Sequence, residues 1–483
     1  MSIDEGYGPT WDSDDEYDNF IRKMNPPSII IDNDSLADAT IVKVGSANEY
    51  GILLEVIQVL MDLNLVISKA YITSDGGWFM DGKILHLIKS NKWCPLFPCS
   101  FLLIMVKIHA VSVFNVTDKE GMKLKDKAAI AEIEGYIRKS LGADSRYMPA
   151  KRRSVGVAAS TDHNVIELTG SDRPGLLSEV SAVLASLKCN VVSAEIWTHN
   201  TRVAAVMRVS DEDTMLAVTD TVRLEMIKER LSYLLRGNNL SRGAAMADAS
   251  GTSATHTERR LHQMMLSDGD TEEFHGHVPA QPQKPNVTVR NWKDKDYSVV
   301  TIRCKDRPKL LFDTVCTLTD LRYVVYHANI DANNNQAYQE FYVRHVNGSP
   351  MNTEAERLRV IQCLESAIER RVSEGVKLEL CSSDKVGLLS EVTRIFRENS
   401  LTVTRAEVST KGRTAVNTFY VRSSAGEAVD QKTIDSIREA IGHNIQVKGH
   451  PEAAPQKKES PTWFLFANLF RPRSLPSLGL FVR

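Results

Sequence analysis

Residues 171–177 read SDRPGLL, which sets a carboxylate, a guanidinium and a glycine side by side just ahead of an apolar helix. Those types at that spacing suit the capture of a zwitterion. Gly175 lets the backbone approach a ligand without a Cβ in the way. The first N–H groups of the helix opening over Pro174–Leu177, including those of Leu176 and Leu177, have no partner within the helix and suit a carboxylate. Pro174 in the first turn costs no hydrogen bond and fixes φ. Asp172 can cap the helix or accept from an ammonium, and Arg173 offers a fork of donors. The same residues also make a good tight turn and N-terminal cap, so a purely structural role stands beside the binding one.

The turn recurs. Residues 40–54 read TIVKVGSANEYGILL, 163–177 HNVIELTGSDRPGLL, 297–311 YSVVTIRCKDRPKLL and 375–389 GVKLELCSSDKVGLL. Copy four keeps Asp384, Gly387 and Leu388, with Lys385-Val386 between them. Copy three keeps Asp306 and Arg307 but has Lys309 at the glycine position, which blocks the closest backbone approach. Copy one has Asn48 and Tyr50 in place of Asp-x-Pro, with Gly51 retained. Copy two is therefore the leading candidate site, copy four the second and copy three the weakest.

Each turn sits between an alternating strand and a helix with apolar residues at i, i+3, i+4 and i+7, such as LLSEVSAVLASLKC (176–189). A second strand follows (65–72, 191–198, 323–330, 401–408), then a third ending VMRV (206–209), FYVR (341–344) or FYVR (419–422), then a longer amphipathic helix. Fourth strands are expected at 153–158, 286–291 and 444–448. This β-α-β-β-α-β order predicts an α+β, ferredoxin-like unit with helices on one face of an antiparallel sheet.

Spacing exposes one interruption. From the helix-opening residue to the third-strand motif the interval is 31 or 32 residues in copies two to four, but 62 in copy one, from Gly51 to Val113. Removing residues 82–112 restores 31 and joins SDGGWFMD to VFNVTDKEG. The removed piece includes an uncharged run from Cys94 to Val106, which at 13 residues is too short to span a membrane. Gly82-Lys83 can be encoded with the GTAA of a splice donor, so 82–112 reads as a retained in-frame intron or gene-model error, with a lineage-specific loop as the alternative, and is expected to leave the sheet between Asp81 and Val113.

With SDRPGLLSEV (171–180), KDRPKLLFDTVCTLTDL (305–321), DKVGLLSEVTRIFREN (384–399), HTERRLHQMM (256–265) and WFLFANLFRPRS (463–474) in view, the chain resembles the plant ACT-domain-repeat proteins, the ACR family. The resemblance implies four tandem ACT domains whose antiparallel sheets pair side by side. It further implies that an amino acid binds where the first turn of one unit meets its neighbour, without catalysis. The expected organisation is an acidic extension (1–37), ACT domain one (38–158, with the insert), domain two (159–292, with a linker about 236–285), domain three (293–373), domain four (374–450) and a tail (451–483).

Composition narrows the rest. Lys+Arg 59 against Asp+Glu 61 gives no overall attraction for nucleic acid or an anionic membrane. The acidic N-terminus has no signal-peptide pattern and the seven cysteines form no CxxC pair, which points to the cytoplasm or nucleus. His256, His262, His275 and His277 have no metal-site spacing and read as solvent-exposed linker residues, and Cys94 and Cys99 have no partner pair for zinc. No dinucleotide, phosphate-loop, serine-hydrolase or zinc-protease motif is present, so neither cofactor nor metal is expected. The functional expectation is an amino-acid-binding regulatory protein. Its alternatives are a ligand-independent scaffold and a regulatory subunit of a metabolic enzyme, partnered through its sheets or self-associated.

Overall fold

The computed structural model describes residues 28–48, 50–74, 109–140, 157–159, 162–235, 256–267, 284–292, 295–333, 335–371, 375–425, 429–442 and 445–448. The acidic stretch 1–27, residues 82–108 of the proposed insert, Cys94, Cys99, His275, His277 and the tail lie outside them.

Four units follow one another. The first comprises β1 (Ser28–Asp32), β2 (Thr40–Ala47), α1 (Ile52–Asp62), β3 (Val66–Thr73), β4 (His109–Thr117) and α2 (Lys127–Ser140). The second comprises β5 (Val157–Ala159), β6 (Asn164–Ser171), α3 (Leu176–Ser186), β7 (Cys189–His199), β8 (Arg202–Asp211) and α4 (Thr221–Leu235). A linker helix, α5 (Thr257–Ser267), precedes the third: β9 (Asn286–Trp292), β10 (Tyr297–Lys305), α6 (Leu310–Asp320), β11 (Tyr323–Asn333), β12 (Gln336–His345) and α7 (Glu354–Glu369). The fourth holds β13 (Val376–Ser383), α8 (Leu388–Glu398), β14 (Leu401–Lys411), β15 (Thr414–Ser423), α9 (Gln431–Ile441) and β16 (Ile445–Lys448).

The units pair alternately. Two eight-stranded antiparallel sheets form, in the orders β1-β2-β4-β3-β11-β12-β10-β9 and β16-β13-β15-β14-β7-β8-β6-β5. Unit one thus joins unit three through β3 and β11, with Ala70 opposite Ile330. Unit two joins unit four through β7 and β14, with Ala194 opposite Val408. Each junction hides two strand edges that would otherwise expose unpaired backbone groups.

Two of the three expected edge strands belong elsewhere. β5 pairs with β6 and β9 pairs with β10, so residues 157–159 and 286–292 serve units two and three, not the units they were expected to close. An edge strand that was not expected, β1 inside the extension, pairs with β2. Only β16 follows its own unit, on β13. The slot beside a unit's first strand is open to chain arriving from either side. A strand a few residues upstream closes it as a tight hairpin, at less loop entropy than a return from the preceding long linker. In unit four the slot is filled from behind, by β16.

β4 begins at His109, so residues 109–112 lie within the strand and not in a loop that leaves it. They occupy the register that Trp78–Asp81 would take if 82–112 were absent.

Alternation explains the layers. Along β7, Ala194 and Ile196 face the core under the helices of units two and four, while Trp197 faces the opposite side. β8 is buried on both faces, with Val203, Ala205 and Met207 toward the helices and Ala204 and Val206 toward α5. That two-sided burial is why RVAAVMRV is almost continuously apolar. Leu261, Met264 and Met265 of α5 complete this second face, and α5 packs in turn on α6 of unit three. The linker helix is thus wedged between the two sheet assemblies.

Candidate functional site

In units one, two and four the helix after the turn is capped by a glycine in the left-handed region: Gly51 at φ 90°, Gly175 at 82° and Gly387 at 77°. No side chain caps these helices, so Asp172 is not the expected N-cap, and Pro174 lies in the turn ahead of the helix. Lys309 adopts the same conformation at φ 67°, which an L side chain enters at a cost of about 1 kcal/mol.

Sheet pairing gives each turn of units two and four a partner surface. Under 171–177 lies a cavity of about 40 Å³, walled by Asp172, Arg173, Gly175, Leu176 and Leu177 and closed from unit four by Phe396 and Leu401–Val403. Under 384–388 lies one of about 20 Å³, walled by Asp384, Gly387 and Leu388 and closed from unit two by Ser181 and Cys189–Val191. The arrangement is pseudo-symmetric: each turn faces the end of the other unit's first helix and the start of its second strand.

The charges are specific. Burial lifts the Asp172 carboxyl to about 6, against the pull of Arg422 from unit four. Arg173 is committed to an ion pair with Glu179, and Lys385 makes the matching pair with Glu391. Arg397 of α8 lies across the first turn, since a Cβ on Gly175 would come within 2.9 Å of its Cδ. At the equivalent place beside Gly387 stands Ala185, and a Cβ there would meet nothing within 4 Å.

Three buried oxygens on these walls have no hydrogen-bond partner: Thr402 Oγ1 on the first cavity, and Ser181 Oγ and Asn417 Oδ1 on the second. Their residues are 5%, 3% and 2% exposed. Sequence reasoning missed them, and Arg397 and Arg422, because all but Asn417 reach their turn from the paired unit. The signal was available in the repeat itself, once each copy is aligned on its partner's helix end.

In units one and three the side chains of the turn are bonded to the chain itself. Tyr50, beside Asn48 and Gly51, donates to the carbonyl of Thr319 on α6. Arg307 pairs with Asp313 at 2.7 Å and donates to the carbonyl of Ile368 at 2.9 Å, and Lys309 pairs with Glu258 of α5. Burial raises the Asp306 carboxyl, against the pull of Arg307.

The linker helix overturns one expectation. His262 is 1% exposed, not a solvated linker residue. It stacks edge-on between Trp197 and Phe312, and His256 meets Asp62 at 3.1 Å. Among the described residues no group of His, Cys, Asp and Glu is placed to hold a metal, and no helix is long and apolar enough to cross a membrane.

Comparison with known proteins gives family matches to three stretches of the chain. The family description "ACR family N-terminal ACT domain" matches residues 35–92, and "ACT domain" matches 164–235 and 376–442. ACT domain-containing protein ACR4 of Arabidopsis thaliana is 55% identical over 479 residues, covering 97% of this chain and 98% of the relative. ACT domain-containing protein ACR5 of the same plant is 53% identical over 482 residues, covering 98% of each. A bifunctional uridylyltransferase/uridylyl-removing enzyme of Gluconobacter oxydans is 30% identical over 141 residues, 25% of this chain and 15% of that enzyme. The chain belongs to the ACR family of ACT domain-containing proteins.

Proposed function

We propose that this chain is a non-enzymatic amino-acid sensor built of four ferredoxin-like ACT domains, working in the cytoplasm or nucleus. Units two and four bind the ligand, and units one and three form the platform that carries the response. The observation that carries this reading is the set of unpartnered oxygens on the two cavity walls. A buried polar group left without a partner costs about 1–3 kcal/mol, and a bound zwitterion or its side chain removes that cost. The carboxylate would sit on the opening N–H groups of α3 or α8, and the ammonium would meet Asp172 or Asp384.

The scaffold reading fits the other half of the molecule. Tyr50 and Lys309 tie the turns of the first sheet to α6 and α5, which leaves that sheet to hold a protein partner or a second copy. Ligand at the second sheet would act on this half only by binding one arrangement of the α5 junction better than another.

The test is the melting temperature of the intact chain with each amino acid in turn at millimolar concentration. A ligand of the folded state present at about 100 times its Kd adds about 2.7 kcal/mol and raises the midpoint. A panel that moves nothing defeats the sensor reading and leaves the scaffold.

A further inference from the structure

The two pseudo-equivalent cavities are walled by different chemistry. On the strand floor of the first stands Ala205, and at the matching place in the second stands Asn417; each lies opposite its own second strand, at Ile196 and Val408. Apolar side chains make most of the first cavity's wall, including Leu168, Met207, Phe396 and Leu401, beside the hydroxyls of Ser178, Thr198, Thr393 and Thr402. The second carries Ser390, Thr410, Ser181 and Asn190 at the matching places and adds Asn417, where the first has Ala205.

The oxygens sharpen the contrast. In the first cavity the one unpartnered oxygen, Thr402 Oγ1, comes from the start of β14, near the turn, where a ligand's zwitterion would be. In the second, Asn417 Oδ1 lies on the floor, where a side chain would reach, and it accepts only. Ser181 Oγ, which donates or accepts, joins it from the facing helix. An aliphatic side chain in the second cavity would leave both bare, and a hydroxyl would satisfy them.

Size sets a limit on both. A water needs about 10–15 Å³ of such space, so the first cavity takes a side chain of about three heavy atoms and the second one or two.

We propose that the paired sites are not duplicates: the 171–177 site takes a small aliphatic amino acid and the 384–388 site a small polar one. This rests on the sensor reading above and names the ligand class of each of its sites. The chain then reports two nutrients at one sheet, through strands β7 and β14 that both sites share.

The probes are L-valine and L-serine, titrated calorimetrically into the intact chain. Each binds at one site per chain, and saturation with one leaves the heat of the other in place. Asn417→Ala weakens L-serine by about tenfold or more and leaves L-valine unchanged. Ser181→Ala, a smaller change on a helix, gives the same direction should the first variant fail to fold. Thr402→Val weakens L-valine while raising the melting temperature of the free protein, because it removes an unpaired hydroxyl. Competition of the two for one site, or serine affinity untouched by both Asn417→Ala and Ser181→Ala, overturns the inference and leaves the sensor reading intact. Silence from all twenty amino acids overturns both.

Discussion

His262 Nε2 lies 2.7 Å from Asp313 Oδ1, joining the linker helix to the first helix of unit three. A carboxylate only accepts, so Nε2 carries the proton and Nδ1 is left buried without a partner. The same carboxylate receives Arg371 at 2.9–3.0 Å and Arg307 at 2.7 Å, and Arg371 also reaches Glu258 at 2.8 Å over the face of Trp197. Burial alone would raise the Asp313 carboxyl, but Arg371, Arg307 and His262 together hold it well below the usual range. Asp313→Ala strands buried guanidinium groups and should cost about 3–5 kcal/mol in urea unfolding. A loss within 0.5 kcal/mol would show that the network is not what holds α5 to unit three.

Burial depresses His262 to about 4, against the raising pull of Asp313. The unfolded chain takes up this proton near 6.5 and the folded chain does not, so the stability it contributes is present above 6.5 and lost as the pH falls toward 4. The loss amounts to about 3 kcal/mol at the acid end. Asp313 adds a further loss below its ordinary value of 3.8. His262→Gln keeps a donor to Asp313 and removes the titration, so its unfolding curve flattens between pH 6.5 and 4. Wild type and variant running parallel across that window would contradict the assignment.

Asp172, lifted to about 6 by burial, gives ligand affinity at the first turn its own acid-side loss. Its carboxylate is ionised at pH 7.5 and mostly protonated at pH 5, while an amino-acid zwitterion does not titrate between those values. Affinity at that site should fall by about tenfold at pH 5, and Asp172→Asn should be weak at both pH values. Equal affinities for wild type at the two pH values would exclude Asp172 as the ammonium partner.

The turns and the four-fold repeat could be read from the sequence because both are local. Gly51, Gly175 and Gly387 mark backbone that must turn left-handed, and the apolar spacing after them marks a helix. The pairing of one with three and two with four was not legible. β3, β7, β11 and β14 carry the same kind of alternation, and nothing local says which edge meets which. The burial of α5 was half legible. Leu261, Met264 and Met265 mark one apolar side at i, i+3 and i+4, yet His262 reads as solvated and nothing local marks Glu258 and Arg260 as buried. Their partners, Arg371, Glu167 and Asp313, lie about 50 to 110 residues away in the chain.

The insert yields a register prediction. Deleting 82–112 places Trp78–Asp81 where His109–Ser112 now pair with β2 and β3. The shortened chain should fold with an unchanged or higher melting temperature, because the loop closing that hairpin becomes far shorter. A drop in melting temperature or a loss of soluble protein would mean that 82–112 belongs to the fold. Sequencing transcripts across the junction supplies the companion test, and a message that always carries the extra 93 nucleotides would count against the intron.

The most direct measurement is the number of amino-acid molecules held per intact chain, by equilibrium dialysis against a mixture of all twenty with the bound species identified by mass. Two composite sites, at 171–177 and 384–388, predict two per chain, because Tyr50 and Lys309 tie the other turns to α6 and α5. Four per chain would show that every turn binds regardless of what covers it. None would contradict the account at its centre.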